Sequence, residues 1–202
     1  LADSSVREFL SSVAARAPTP GGGSAAAAAA ALGAALGVMV ARFSSGQACA
    51  RAAEALERAL AELTGLIDAD AEAYGGVDAA MKLARGTADQ KKRRAEALQS
   101  ALAAAAEVPL RTMEAALAAM GELPALGREG NANLSSDLGA AAQLLSAGLQ
   151  AASLNVGVNA AAIRDAALKA RLTGRVSEIV KEAAGRVQET LAAIRGPRRP
   201  AE

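Results

Sequence analysis

The order of apolar and polar residues predicts a chain made almost wholly of helix. Apolar positions recur at three- and four-residue spacing from end to end, and no stretch alternates convincingly with period two. Val6, Phe9, Leu10 and Val13 share one face of a first helix over 3–16. "APTPGGG" then breaks the chain, and Ser24 is a natural N-cap for a second helix over 25–43. A third helix covers about 49–84 and ends at "RGTAD". A fourth runs over about 88–121, with Pro109 kinking it or marking a boundary, and "GELPALGREGNAN" follows as a loop. Residues 134–195 read as two or three helices broken near Gly174, where "LTGRV" offers a turn. Neither a tandem repeat nor an interdomain linker interrupts this pattern, so a single all-α domain is expected.

Polar residues inside the apolar seams are the first pointers to chemistry. In the third helix Leu56, Leu60, Leu63, Ile67, Asp70, Tyr74, Val77 and Met81 are spaced 4, 3, 4, 3, 4, 3, 4, a heptad seam that faces a partner helix. Asp70 sits in the middle of it. A carboxylate placed there costs several kcal/mol to desolvate unless it is paired or protonated, and burial moves its pKa toward the range of a working acid or base. The alternative role is a buried polar group that fixes helix register. Asp68 and Glu72 share a different face, read as an ordinary solvated one. A second stripe, Asp137, Ala141, Leu144, Gly148, Ala151 and Asn155, keeps 4, 3, 4, 3, 4 spacing, with Asn159 one turn beyond. Its amides suit either ligand binding or interhelical hydrogen bonding. Asn131 and Asn133 shape the preceding loop, and Ser135 or Ser136 is the expected cap of the next helix.

Composition narrows the chemistry. Aromatic residues make up 1% of the chain, with no Trp, so Leu, Val, Ile and Ala must fill the core. The 22 basic and 21 acidic residues give a formal charge of +1 with the signs interspersed, which is no footprint for nucleic acid. Cys49 stands alone, so no intramolecular disulfide forms and a reducing, cytoplasmic setting is the default. Histidine is absent. That excludes a Ser-His-Asp triad, a His-based zinc helix and a Glu-x-x-His di-iron bundle, and leaves proton transfer to Asp, Glu, Lys, Tyr or the backbone.

The stretch "TPGGGSAAAAAAALGAALGVMV" raises three readings. As a membrane span it lacks flanking stop-transfer charges and aromatic belts, and Ala and Gly contribute little transfer energy. As a phosphate-binding loop it lacks the Gly-Lys-Ser/Thr ending. What remains is a glycine-rich entry to a buried helix. Its first amides are free to hold an anion or a polar ligand group, or its glycines serve only the close packing of helices.

Several motifs in order resemble one family over about 180 residues. They are "PTPGGGSAAA", "DADAEAY", "MKLARGTADQKKRRAEALQ", Pro109 and "GN…SDLGAAA…NVGVN". The chain resembles the cyclodeaminase/cyclohydrolase family, which includes the C-terminal domain of formiminotransferase-cyclodeaminase. The resemblance implies a bundle of long antiparallel helices over 1–196 that dimerises through apolar helix faces, and the basic, proline-containing stretch at the end reads as a disordered tail over 197–202. It implies an enzyme acting on a tetrahydrofolate derivative, closing 5-formimidoyltetrahydrofolate to 5,10-methenyltetrahydrofolate with release of ammonia, or hydrolysing the methenyl compound. No metal or other cofactor is implied.

The second Asp of "DADA", catalytic in the family, corresponds to Asp70. Gly21, Gly22, Gly23 and Ser24 are expected to line the folate site, with Asp137, Asn155 and Asn159 bonding the pterin. The implied partners are a second copy of the chain and a separate formiminotransferase, with neither nucleic acid nor membrane. Where members carry Gly, then Lys or Arg and an aromatic residue after the second helix, this chain has Gln47 and Ala48, which weakens any polyglutamate site there. The reading from a different class is a non-catalytic helical scaffold in which Asp70 sets register.

Overall fold

Along residues 1–196, which the computed structural model describes, run α1 (Val6–Val13), α2 (Gly22–Arg42), α3 (Gln47–Lys82), α4 (Ala88–Glu129), α5 (Ser135–Ala162) and α6 (Ala166–Arg195). A 3-10 turn at Ala132–Leu134 leads into α5, and no strand occurs among the described residues. The expected tail, 197–202, lies outside the described residues.

The ends of the helices follow from local chemistry. Ser5 and Glu8 form a capping box that starts α1 later than the apolar pattern suggested. Thr87 and Gln90 form another at the start of α4. The expected Ser24 cap is a correction: α2 begins at Gly22 with Gly21 as its N-cap, so Ser24 lies inside the first turn. The N-cap position of α5 is Leu134, not a serine, and Asn131 instead caps the 3-10 turn by accepting the Asn133 amide at 3.0 Å.

Two further expectations fail for packing reasons. "GELPALGRE" continues α4 as helix rather than forming a loop. Pro124 is buried within it, and Gly127 is where α6 presses in: a Cβ there would lie 2.7 Å from the Ala193 Cβ. The break in the last third falls between Ala162 and Ala166, not at Gly174, because Asp165 accepts the amides of Ala167 and Leu168 at 2.9 and 3.0 Å. Gly174 sits within α6 with open space around it.

The long helices pack around α2. It lies against α3 on one side and α5 on the other, and α4 packs against both of these beneath it. Glycine and alanine make this possible. A Cβ on Gly33 would lie 2.8 Å from the Leu145 side chain and 2.9 Å from the Ala141 carbonyl oxygen, and one on Gly148 would lie 2.6 Å from the Ala26 carbonyl oxygen. Backbones of α2 and α5 therefore touch almost directly. Larger residues from the other helices fill the remaining core, among them Leu56, Leu63, Met113, Met120 and Leu123. Although α2 is long and apolar enough to cross a membrane, 61% of its most apolar window is buried inside this fold.

Glycine contacts also fix direction and register. Gly23 meets Asp70 and Gly37 meets Leu56, so a step of 37 − 23 = 14 along α2 matches 70 − 56 = 14 backwards along α3. On the other side Gly22 meets Asn155 and Gly33 meets Leu145, so α5 is antiparallel to α2 as well.

Gly148→Ala is expected to lower stability by about 1–3 kcal/mol, since backbone faces the new methyl group. Gly174→Ala, in an open helix interior, is expected to raise it by about 0.5–1 kcal/mol. Denaturant unfolding of the two variants checks both signs.

Candidate active site

The antiparallel register determines what surrounds Asp70. Where α2 starts, α3 continues to Lys82 and α5 to Ala162. The groove that α2 fills between them is therefore left without a helix beyond Gly22, with α4 as its floor. The preceding chain turns out of this groove, because α1 doubles back and Phe9 packs beside Ala27, Leu66 and Ile67. Asp70 stands at the point where α2 ends and the open part of the groove begins.

At that point the sequence forbids a side chain on α2. A Cβ on Gly23 would lie 2.5 Å from the Asp70 Cγ and collide with both carboxylate oxygens. Because Gly23 has none, the carboxylate lies directly on the first turn of α2. The Ser24 hydroxyl, fully buried, donates to Asp70 Oδ2 at 3.1 Å. The positive end of the α2 dipole faces the same carboxylate.

These forces oppose one another. Burial pushes the Asp70 carboxyl above its ordinary value of 3.8, while the hydrogen bonds from Ser24 pull it part of the way back. Desolvation is the larger effect. The result is a carboxyl group that is held in place, partly shielded, and able to exchange a proton more readily near neutral pH than an exposed aspartate.

The other predicted site residues divide by height along α5. Asn155 reaches the same place: its side chain lies 3.6 Å from where a Gly22 Cβ would be, and its Nδ2 donates to the Ala151 carbonyl at 3.0 Å. Asn159 lies one turn higher on the groove wall and its Nδ2 donates to the Ala105 carbonyl of α4 at 2.9 Å. Pro109, four residues after Ala105, has no N–H to offer that carbonyl, so Asn159 supplies the missing donor.

Asp137 is not brought to Asp70. It lies in the first turn of α5, about 27 Å along the helix from Asn155 at 1.5 Å per residue. The stripe placed it on the correct face but could not place it at the correct end. Gly21 is the N-cap next to the site, half-buried against the Pro18 carbonyl. Asp68 and Glu72 point away from α2, Glu72 being exposed and Asp68 partly so. A separate groove of about 620 Å³, lined by Phe43, Arg42 and Glu57 among others, lies at the opposite end of α2.

Folded Asp70 keeps its proton to a higher pH than unfolded Asp70, so stability falls as pH rises through the interval just above 3.8 and then levels off. Asp70→Asn does not undergo this loss. Its melting temperature relative to the parent is expected to climb between about pH 3.5 and about pH 7, and a flat difference over that range overturns the account of Asp70 burial.

In sequence and in overall fold the chain is similar to known proteins. The formiminotransferase-cyclodeaminase family profile matches residues 5–178. The chain is 37% identical over 191 residues to formimidoyltransferase-cyclodeaminase of Rattus norvegicus, covering 91% of this chain and 35% of that protein. It is 35% identical over 197 residues to methenyltetrahydrofolate cyclohydrolase of Methylorubrum extorquens, covering 92% of this chain and 95% of that one. The crystal structure of formiminotetrahydrofolate cyclodeaminase from Thermotoga maritima superposes with a TM-score of 0.84 at 31% identity, covering 95% of this chain and 96% of that one. The chain thus spans about a third of the length of the rat protein and nearly the whole of the other two. With its all-helical fold and a family match over most of its length, the chain belongs to the formiminotransferase-cyclodeaminase family.

Proposed function

We propose that this chain is a folate one-carbon enzyme that closes 5-formimidoyltetrahydrofolate to 5,10-methenyltetrahydrofolate and releases ammonia, with Asp70 as the group that moves the proton. The observation that carries this reading is the single carboxylate held by Ser24 at the open end of the groove, with its proton affinity raised by burial. The fold neighbour and the rat relative bear cyclodeaminase names.

The chemistry requires no more than a positioned carboxyl group. N10 of the folate attacks the amidinium carbon, and Asp70 accepts the proton that N10 releases. The protonated carboxyl then returns that proton to the departing nitrogen, which leaves as ammonia. The products are the methenyl cation and free Asp70, so the carboxylate ends as it began. Ser24 keeps one carboxylate oxygen fixed while the other exchanges the proton. Gly21 to Gly23 and the amides of Asn155 and Asn159 offer polar contacts to the pterin from the helix end and the α5 wall.

A second reading has its own support, since the Methylorubrum relative is named a methenyltetrahydrofolate cyclohydrolase and matches nearly end to end. The same carboxylate would then activate water against the methenyl carbon. In either case we place the domain at 1–196, in the cytoplasm, as a homodimer that works with a formiminotransferase. Leu32, Leu154 and Val158, each more than half exposed on the α2 and α5 surface, support an apolar contact between copies.

A paired assay separates the readings. With 5-formimidoyltetrahydrofolate, growth of methenyl absorbance together with ammonia is expected. Faster loss of absorbance from methenyltetrahydrofolate alone identifies the hydrolase, and silence in both overturns a folate role.

Asp70→Asn is expected to fold and to lose at least about a hundredfold in kcat, the usual scale of one acid–base group. Gly23→Ala is expected to lose comparable activity by displacing the carboxylate. Ser24→Ala, which removes a hydrogen bond that favours ionised Asp70, is expected to move the rising limb of the pH–rate profile to higher pH. An unmoved limb overturns the role of Ser24 in holding Asp70.

A further inference from the structure

No aromatic side chain in this protein is fully buried, although Phe9 packs against a small core cluster. The chain has one Tyr and two Phe, and none of them is among the buried side chains, which are Leu, Ile, Val, Met, Ala and Cys with a few small polar groups. Tyr74 is 39% exposed. It follows Asp70 by four residues on α3, which puts the two side chains on the same face about 6 Å apart at their Cβ atoms.

Register decides what Tyr74 faces. Because α2 ends against Asp70, nothing from α2 covers the next turn of α3, and Tyr74 stands on the wall of the open groove. Asn155 lies beside Gly22 at the same end of α2, with Asn159 one turn further along α5. The gap is about as wide as the helix that has stopped, roughly 10 Å. The glycines that follow it, Gly75 and Gly76, have open space on their own faces of α3, while Ala73 and Val77 pack toward the core on the face between. The Tyr74 hydroxyl makes no hydrogen bond to the described residues. What the side chain offers to the groove is a ring face next to a carboxylate.

We propose that Tyr74 is the stacking platform for the flat heterocycle of the substrate, holding its plane against α3 so that the reacting edge meets Asp70 while Asn155 and Asn159 read the polar edge. This rests on the folate reading above and adds a residue to it. The ring face binds, and the hydroxyl is dispensable. An aromatic plane has two rotatable bonds and suits a flat heterocycle better than a flexible aliphatic chain does.

Binding to the catalytically impaired Asp70→Asn protein tests this without turnover. With 5,10-methenyltetrahydrofolate as ligand, adding Tyr74→Ala is expected to raise Kd about tenfold or more, whereas Tyr74→Phe stays within about twofold, as stacking without a hydroxyl requires. The sole tyrosine also gives a single set of ring signals in protein labelled at tyrosine, and these are expected to move upfield on ligand addition. In otherwise unaltered enzyme, Tyr74→Ala is expected to raise KM with kcat held within about threefold.

Equal binding by the Ala variant, or a loss with Phe as large as with Ala, overturns the platform. Ligand binding that leaves the tyrosine signals in place overturns it alone and leaves the folate reading intact. Absence of any binding by the Asp70→Asn parent overturns both.

Discussion

The approach of α2 to its neighbours is the constraint on which the rest of the structure depends. Glycine and alanine on α2 and α5 let two backbones meet where side chains would otherwise hold them apart, with Gly33 and Gly148 as the tightest points. That fit leaves little freedom to slide. Leu145 fits at Gly33, and Gly148 lies directly on the α2 backbone at Ala26 and Ala30. Locked in this register, α2 begins beside Asp70, and the groove between α3 and α5 opens at the same level. The packing of small residues therefore fixes the position of a carboxylate and of the space beside it.

At that junction two opposing effects set the chemistry. An aspartate exposed to water is a weak base and is almost never protonated at neutral pH. An aspartate buried without donors would be a poor exchanger too, since its charged form would be too costly to reach. Here burial raises the proton affinity, and the end of α2 with the Ser24 hydroxyl limits that rise. Glycine at position 23 is what allows both at once, because any side chain would separate the carboxylate from the helix end. The apolar seam around Asp70 and the glycine run before α2 are thus two parts of one device, although 46 residues separate Ser24 from Asp70 in the chain.

Much of this was legible in the sequence where one periodicity governed. The helical character, the long third helix and the polar interruption at Asp70 follow from three- and four-residue spacing alone. Residues whose role depends on a partner helix did not read correctly. Ser24 resembles an N-cap by residue type, yet glycine before it starts the helix earlier because a side chain there would strike Asp70. Gly127 and Pro124 resemble loop residues, but they mark the approach of α6 and a buried turn of α4. Asn159, expected as a ligand group, also has a structural role that its residue type did not announce, since its Nδ2 donates to the Ala105 carbonyl that Pro109 leaves without an amide. Asp137 shared a face with Asn155 but not a height, since a stripe carries no information about which end of a helix meets the site.

The two reactions considered for this groove differ in one physical respect, the access of water to the carbon beside Asp70. Ring closure by N10 is unimolecular once the folate is seated, and water near its product would undo it. Ring opening begins from that same product and needs one water placed where the carboxylate can take its proton. The proton-transfer group and its support serve either direction. On the proposed reading, the cover over the open groove selects between them; Val158 and Leu154 on α5 are 73% and 72% exposed in the single chain. A partner that covers this apolar edge would dry the groove and favour closure, whereas an uncovered edge would admit the water that opening consumes.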